Sequence, residues 1–310
     1  MLRFLVRRLA YAIVLLLIAS VAIFYGLRVA PGDVTSAIVS VTGTQVLIDD
    51  VKEQLGLDKP LATQYFIFIK NVVTGDPGSS LVSGAKITDL IGDAGIKTLK
   101  LGVFGLILVY ALAIPLGLMA AWWRNKPFDQ GVRFLAVLGM GIPNFFLAVL
   151  LIQLFAVKLK WLPVAGPGGF KHTLLPAVVL AMESMAVNMR LMRSSTLEEL
   201  SKDYIRTQRA KGLPGRRILF VHAFRNALVP VVALAGVTIP VVLGYTLIVE
   251  VIFRYEGLGF QLVQAITKRD YALAQTLALL FTAIVVFSNF LADAAHQLID
   301  PRIRDRARAA

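Results

Sequence analysis

Five stretches of this chain carry no Asp, Glu, Lys or Arg. They hold 19 residues between Arg8 and Arg28, 23 between Lys100 and Arg124, 24 between Arg133 and Lys158, 24 between Arg225 and Glu250, and 22 between Asp270 and Asp293. A helix needs about 20 apolar residues to cross the hydrocarbon core of a bilayer. These stretches therefore predict five membrane spans. A sixth, roughly 173–192, is interrupted by Glu183 and Arg190. Without it the two termini would fall on opposite sides of the membrane. The expected class is an all-α membrane protein with six transmembrane helices.

Composition supports this class. Charged residues make up 16% of the 310, apolar residues 57%, and the mean hydropathy is +0.73. Soluble domains carry about 25% charge, so a soluble enzyme is disfavoured and a disordered chain excluded. With no Cys there is no disulfide framework and no thiolate chemistry. The net charge of +13 invites a nucleic-acid reading, but its distribution selects another. With the N-terminus inside, segments 1–8, 124–133, 190–225 and 293–310 hold 19 Lys and Arg, and segments 28–100, 158–171 and 250–270 hold 13. Loop 28–100 is too long to steer topology, and without it the outside total falls to 6. This is the positive-inside bias. It places both termini in the cytoplasm and expects a lipid bilayer, not nucleic acid, as partner. Arg3, Arg7 and Arg8 before an apolar run also resemble a signal peptide. The length of the run and Pro31 after Ala30 point instead to an uncleaved first helix.

Residues 31–97 are too polar for the membrane. Turns at Pro31-Gly32-Asp33 and Gly75-Asp76-Pro77-Gly78 frame two short helices, 45–57 and 64–73, in a small extracytoplasmic subdomain. In the cytoplasmic segment 190–225, Ser194-Ser195-Thr196 followed by Glu198-Glu199 predicts a helix start. Residues 204–211 continue helically, Gly212-Leu213-Pro214-Gly215 stops the run, and 216–225 resumes toward the fifth span. Pro115, Pro143, Pro176, Pro230 and Pro240 lie in or beside spans. Each frees a backbone carbonyl, read either as simple kinking or as bending at a translocation path.

Energy-yielding chemistry is missing from the sequence. There is no G-x-x-x-x-G-K-[ST] to cradle ATP phosphates, and His172, His222 and His296 are scattered. Glu183 is nearly alone as an intramembrane charge, whereas ion-coupled carriers use several. No catalytic residue, metal site or cofactor is expected on this chain.

The cytoplasmic segment carries a resemblance. Asp203-Tyr204-Ile205-Arg206-Thr207-Gln208-Arg209-Ala210-Lys211-Gly212-Leu213, then His222-Ala223-Phe224-Arg225-Asn226-Ala227-Leu228-Val229-Pro230, is similar to the coupling-loop signature of ABC importer permeases of the dipeptide/oligopeptide branch. Leu55-Gly56-Leu57-Asp58-Lys59-Pro60, Gln64-Tyr65, Gly75-Asp76, Arg190, Arg193-Ser194-Ser195, Glu250, Gly257-Leu258-Gly259, Arg269-Asp270-Tyr271 and Asp300-Pro301-Arg302 follow in the order seen in the first permease of that branch. The broader family's E-A-A motif falls on Arg206-Thr207-Gln208, so its acidic residue is missing, as is usual in the peptide branch. Gln208 stands where Ala is usual.

The resemblance implies a type I ABC importer fold. Residues 1–93 would be the first helix and extracytoplasmic subdomain, 94–298 the permease core, and 299–310 a basic tail. It implies a subunit of an ATP-driven importer of peptides in the cytoplasmic membrane, with nickel or glutathione as alternative substrates. The implied partners are a second permease, two ATPases that hold ATP and Mg, and an extracytoplasmic substrate-binding protein. Tyr204, Ile205, Arg206, Thr207, Gln208, Arg209, Ala210, Lys211 and Gly212 would form the coupling helix. Pro143, Asn144, Glu183, Asn226, Pro230 and Pro240 are candidates for the translocation path, with Gly139, Gly141, Gly236 and Gly244 allowing close helix approach. Glu183 is read either as a residue bonded to a neighbouring helix, as a cavity residue meeting a cationic substrate, or as lying at a span edge. Readings from other classes are a stand-alone channel, a secondary carrier, or a scaffold subunit.

Overall fold

The computed structural model describes residues 2–29, 59–164, 166 and 168–299. Helix α1 is Leu2–Val29, α2 Leu61–Val73, α3 Ile87–Trp122, α4 Pro127–Gly141 and α5 Asn144–Leu151, which runs on into a π-helical segment, Ile152–Lys158. Next come α6 Phe170–Ser201 and α7 Asp203–Ala210. A short run, Gly215–Arg217, and a second π segment, Ile218–Ala223, feed α8, Phe224–Ile252; α9 is Leu258–Thr267 and α10 Tyr271–Ile299. Among the described residues, five helical runs are long and apolar enough to cross a membrane, or six when α4 and α5 with its π segment are taken as a single span.

That span is the first departure from expectation. Residues 134–157 read as an uninterrupted span, yet the chain bends by 111° between α4 and α5. The cause is local. Pro143 disfavours helical geometry at the residue before it, and Ile142 is extended at φ −92°, ψ 119°. Conversely, the weakest expected span, 173–192, lies inside the 32-residue α6.

The chain divides into two units, residues 1–99 with 254–290, and 100–253 with 291–310. In the first, Phe24 of α1 is fully buried and stacks with Phe68 of α2 at 5.9 Å. The Arg28 guanidinium lies 3.5 Å from the Phe24 ring centre and donates to Gln64 Oε1 at 3.2 Å. Asp270, only 2% exposed, accepts from the Ser80 hydroxyl at 2.5 Å, the Leu81 N–H at 3.2 Å and the Leu273 N–H at 3.2 Å. It thereby caps α10 and pins the turn after Gly78. This gives Arg269-Asp270-Tyr271 a structural reason.

The second unit is organised around α6. Val109, Ala113, Ala120, Val132, Ala136, Ala181, Met185, Ala186 and Met189 form one buried cluster. Small residues set the helix spacing. A Cβ added at Gly117 of α3 would lie 2.6 Å from the Met189 carbonyl oxygen, and one at Gly139 of α4 would lie 2.9 Å from Ala186 Cβ. Gly141 and Gly244, expected to do the same, face open space in this chain. At the end of α6 nearer α7, Asp129 is fully buried and receives both nitrogens of an Arg193 fork, Nε at 2.5 Å and Nη2 at 2.8 Å. The Asn125 N–H adds a third bond at 2.9 Å.

The expected helix start at Ser194-Ser195-Thr196 does not exist, because α6 runs through to Ser201. Ser194 and Thr196 donate backward to the Leu191 and Met192 carbonyls at 3.0 and 2.7 Å. This is the mid-helix alternative to capping. The expected helix 45–57, Asp300-Pro301-Arg302 and most of the 299–310 tail lie outside the described residues.

Candidate functional site

After α6 ends, Lys202 is extended (φ −72°, ψ 152°) and the chain turns into the two-turn α7. One side chain fixes this helix. Ile205 is fully buried against Ile218 and Ala223 of the second π segment, with Leu200, Tyr204 and Leu213 packed around it. The far end closes through glycine. Gly212 takes φ +77°, its N–H donates to Arg209 O at 2.9 Å, and the Leu213 N–H donates to Gln208 O at 3.3 Å. This paired 6→1 and 5→2 bonding is the Schellman C-cap, which needs the left-handed conformation that glycine adopts without Cβ strain. The turn also places Leu213 back on Ile205.

A polar cluster ties the near end of α7 to α6 and α8. Glu199 accepts from Lys202 Nζ and from the Tyr204 hydroxyl at 2.7 Å, and Asn226 Nδ2 donates to the Tyr204 oxygen at 3.1 Å. Burial, and then the bond to Glu199, raise the Tyr204 pKa above its ordinary value. Lys202 is also raised, first by its bond to Glu199. Both donors therefore stay protonated at neutral pH, and the cluster keeps one hydrogen-bonding pattern. What remains outward on α7 is Asp203, Arg206, Thr207, Arg209 and Ala210, followed by Lys211 and Gly212; Gln208 is half-buried. The Arg206–Asp203 pair at 3.2 Å is wide open to solvent and contributes little. The motif residues thus separate into an anchor (Tyr204, Ile205, Gly212) and a basic outward face.

The candidates for a path do not all meet. Asn144, at the start of α5 just after Pro143, donates to Glu183 Oε2 of α6 at 3.5 Å. Tyr245 of α8 lies close enough to Glu183 to feel its charge. Glu183 therefore lies in the body of α6, is half-buried, and faces two neighbouring helices. Asn226 belongs elsewhere, with Tyr204. Pro230 and Pro143 are exposed and Pro240 is buried. Sequence reasoning missed a second polar contact one helical turn and a half along α6. Asn188, fully buried, donates to Thr238 Oγ1 of α8 at 3.2 Å and to Ser184 O at 2.9 Å. The signal was available, since Asn188 is a polar residue in the uncharged run between Glu183 and Arg190.

The family model described as "Binding-protein-dependent transport system inner membrane component" matches residues 113–305, and the companion model for the N-terminal part of such components matches 1–85. The glutathione transport system permease protein GsiC of Escherichia coli (strain K12) is 37% identical over 304 residues, covering 98% of this chain and 99% of that protein. The probable peptide ABC transporter permease protein y4tP of Sinorhizobium fredii (strain NBRC 101917 / NGR234) is 34% identical over 309 residues, covering 97% and 99%. Among solved structures, the inward-facing MetNI methionine ABC transporter matches with a TM-score of 0.56 at 20% identity, over 68% of this chain and 96% of that one. This likeness bears on the fold, which is the type I ABC importer membrane fold. A transport component with no ATP-binding motif of its own and five or six apolar spans is a multi-pass membrane protein. On these matches the chain belongs to the binding-protein-dependent transport system inner membrane component family, as a permease subunit of an ABC importer.

Proposed function

We propose that this permease carries peptides, glutathione included, into the cytoplasm by alternating access, with α7 as its mechanical link to ATPase subunits. The substrate class is supported by the names of the two full-length relatives. In this reading a second permease completes the path, two ATPases bind ATP and Mg, and an extracytoplasmic protein delivers substrate. Both termini lie in the cytoplasm, in keeping with the charge bias. The observation that carries the reading is the construction of α7. It is a short helix anchored on one face by Ile205, closed by Gly212, and basic on its outward face. Such a helix can transmit a push because its buried side does not slide independently of α6 and α8.

Energetically, an ATPase must bias the permease between two states. Moving an equilibrium from 1:99 to 99:1 takes about 5.5 kcal/mol of differential binding. A coupling element that bends would dissipate that bias locally. Gly212→Val tests the reading, since a β-branched residue at φ +77° is strained while the space around it is open. Membrane insertion of the variant should match the parent, and both uptake and substrate-stimulated ATP hydrolysis should fall to background in proteoliposomes holding all subunits. Parent-like uptake with parent-like stimulation would refute the coupling role. ATP-independent flux through the parent would instead favour a channel or carrier.

A further inference from the structure

We infer that the groove between α4 and α6 is a binding site for an anionic diacyl phospholipid, its headgroup held by Arg133 and Arg190. The groove encloses about 210 Å³. Val137, Met140 and Met189 give it an apolar wall, and Arg133, Arg190 and Arg193 also line it, toward the end where Arg193 meets Asp129 of the first turn of α4. That end is the one nearer the 123–126 turn and α7. Arg133 sits on the second turn of α4, and Val137 and Met140 follow one and two turns farther into the span. The charges thus lie at headgroup depth and the apolar wall runs toward the bilayer centre, the polarity of a lipid lying along the groove.

Charge decides what kind of lipid. Arg193 is committed to Asp129 by its two-pronged bond. That carboxylate also takes the Asn125 N–H, so Arg133, 3.9 Å away and with 52% of its side chain exposed, has only a weak claim on it. Arg190 is exposed and makes no hydrogen bond or ion pair among the described residues. One buried carboxylate therefore faces three guanidinium groups, leaving two positive charges in surplus beside a wall whose Val137 is 68% exposed. Unpaired guanidinium groups against hydrocarbon are costly, and a phosphodiester offers them a planar, two-oxygen acceptor. A zwitterionic headgroup brings its own cation to the same spot, whereas an anionic one does not. Basic pockets between spans on the cytoplasmic side suit anionic headgroups for this reason.

The test uses the full-length chain purified with the subunits that accompany it, delipidated and back-titrated with phosphatidylglycerol or phosphatidylcholine, with bound lipid counted by native mass spectrometry. Phosphatidylglycerol should bind about tenfold more tightly than phosphatidylcholine. Arg133→Gln with Arg190→Gln should erase that preference, and Arg133→Lys with Arg190→Lys should keep part of it. Val137→Trp, which fills the groove and leaves both charges, should weaken phosphatidylglycerol binding. This variant and the Lys pair also carry the test if the Gln pair does not assemble. Equal retention of the two lipids by the parent, or an unchanged preference in the Gln pair, overturns the inference. Displacement of the bound lipid by inorganic phosphate would show an anion site with no acyl-chain component and overturn it equally. So would a disulfide from Val137→Cys to another subunit in native membranes, which would mean that a protein helix covers the groove.

Discussion

Helices α1 and α6 are both long enough to cross a bilayer, and they solve that problem in opposite ways. The spanning window of α1 has 11% of its residues buried within this chain, and that of α6 has 61%. Helix α1 carries apolar residues around its whole circumference, with Leu9, Ile13, Leu17 and Ile18 exposed. Helix α6 carries Glu183, Asn188, Arg190 and Arg193 and is the hub of its unit. A helix surrounded by protein finds partners for polar groups, and one facing lipid does not. Hydropathy therefore ranks α6 as the weakest span because it is the most internal one.

The comparison breaks most severely at Asp129. Arg193→Ala should strand a buried carboxylate, at a cost of about 3 kcal/mol or more. Arg193→Lys should recover only part of it, since an ammonium cannot make the two parallel bonds. Thermal unfolding in detergent should show a large loss for the first and an intermediate one for the second. A melting temperature unchanged in Arg193→Ala would mean that α6 does not depend on its polar contacts.

A second, smaller effect contrasts the same substitution in both regions. Gly117→Val would push a side chain onto the Met189 carbonyl, and overpacking of this kind costs about 1–3 kcal/mol. Gly26→Val in α1 has nothing within 4 Å. There the change should be neutral, or stabilising by a few tenths of a kcal/mol through helix propensity. Equal melting shifts for the two variants would erase the distinction between an internal helix and an outer one.

Much of this fold can be read from residue patterns. Uncharged stretches locate the spans because the bilayer imposes a length, and Gly212 marks the end of α7 because only one backbone conformation makes that turn. Three features were not legible. The bend at Ile142–Pro143 depends on whether a proline kinks a helix or breaks it, and an apolar stretch containing a proline reads the same in either case. The continuation of α6 past Ser194 and Thr196 reverses a helix-start signal, since a hydroxyl can bond backward as readily as forward. The assignment of Asn226 to Tyr204 instead of to Glu183 is a three-dimensional fact, because both lie beside apolar stretches that look alike. The coupling motif was legible as a helix with a stop, while its division into an anchor and an outward face required Ile205 to be seen buried.

The smallest expected effect is at Glu183, where charge and shape can be separated. Glu183→Gln keeps a side-chain oxygen beside Tyr245 while removing the charge. It also adds an amide that can donate to Asn144 Oδ1, a buried oxygen with no partner among the described residues. One hydrogen bond at 3.5 Å is therefore exchanged for another of ordinary strength, and a neutral bond is worth about 1 kcal/mol. The melting temperature should move little and assembly should persist. Glu183→Ala, which removes the whole polar group, should destabilise more than Glu183→Gln does. Transport then distinguishes a joining role from a substrate-meeting one. If Glu183 only joins α5, α6 and α8, uptake by Glu183→Gln should match the parent for amine-bearing and amine-blocked peptides alike. If its charge meets the substrate, uptake of the amine-bearing peptide alone should fall. A destabilisation by Glu183→Gln as large as that of Arg193→Ala would contradict both roles, because it would mean that the carboxylate is held by a charge the structure does not place beside it.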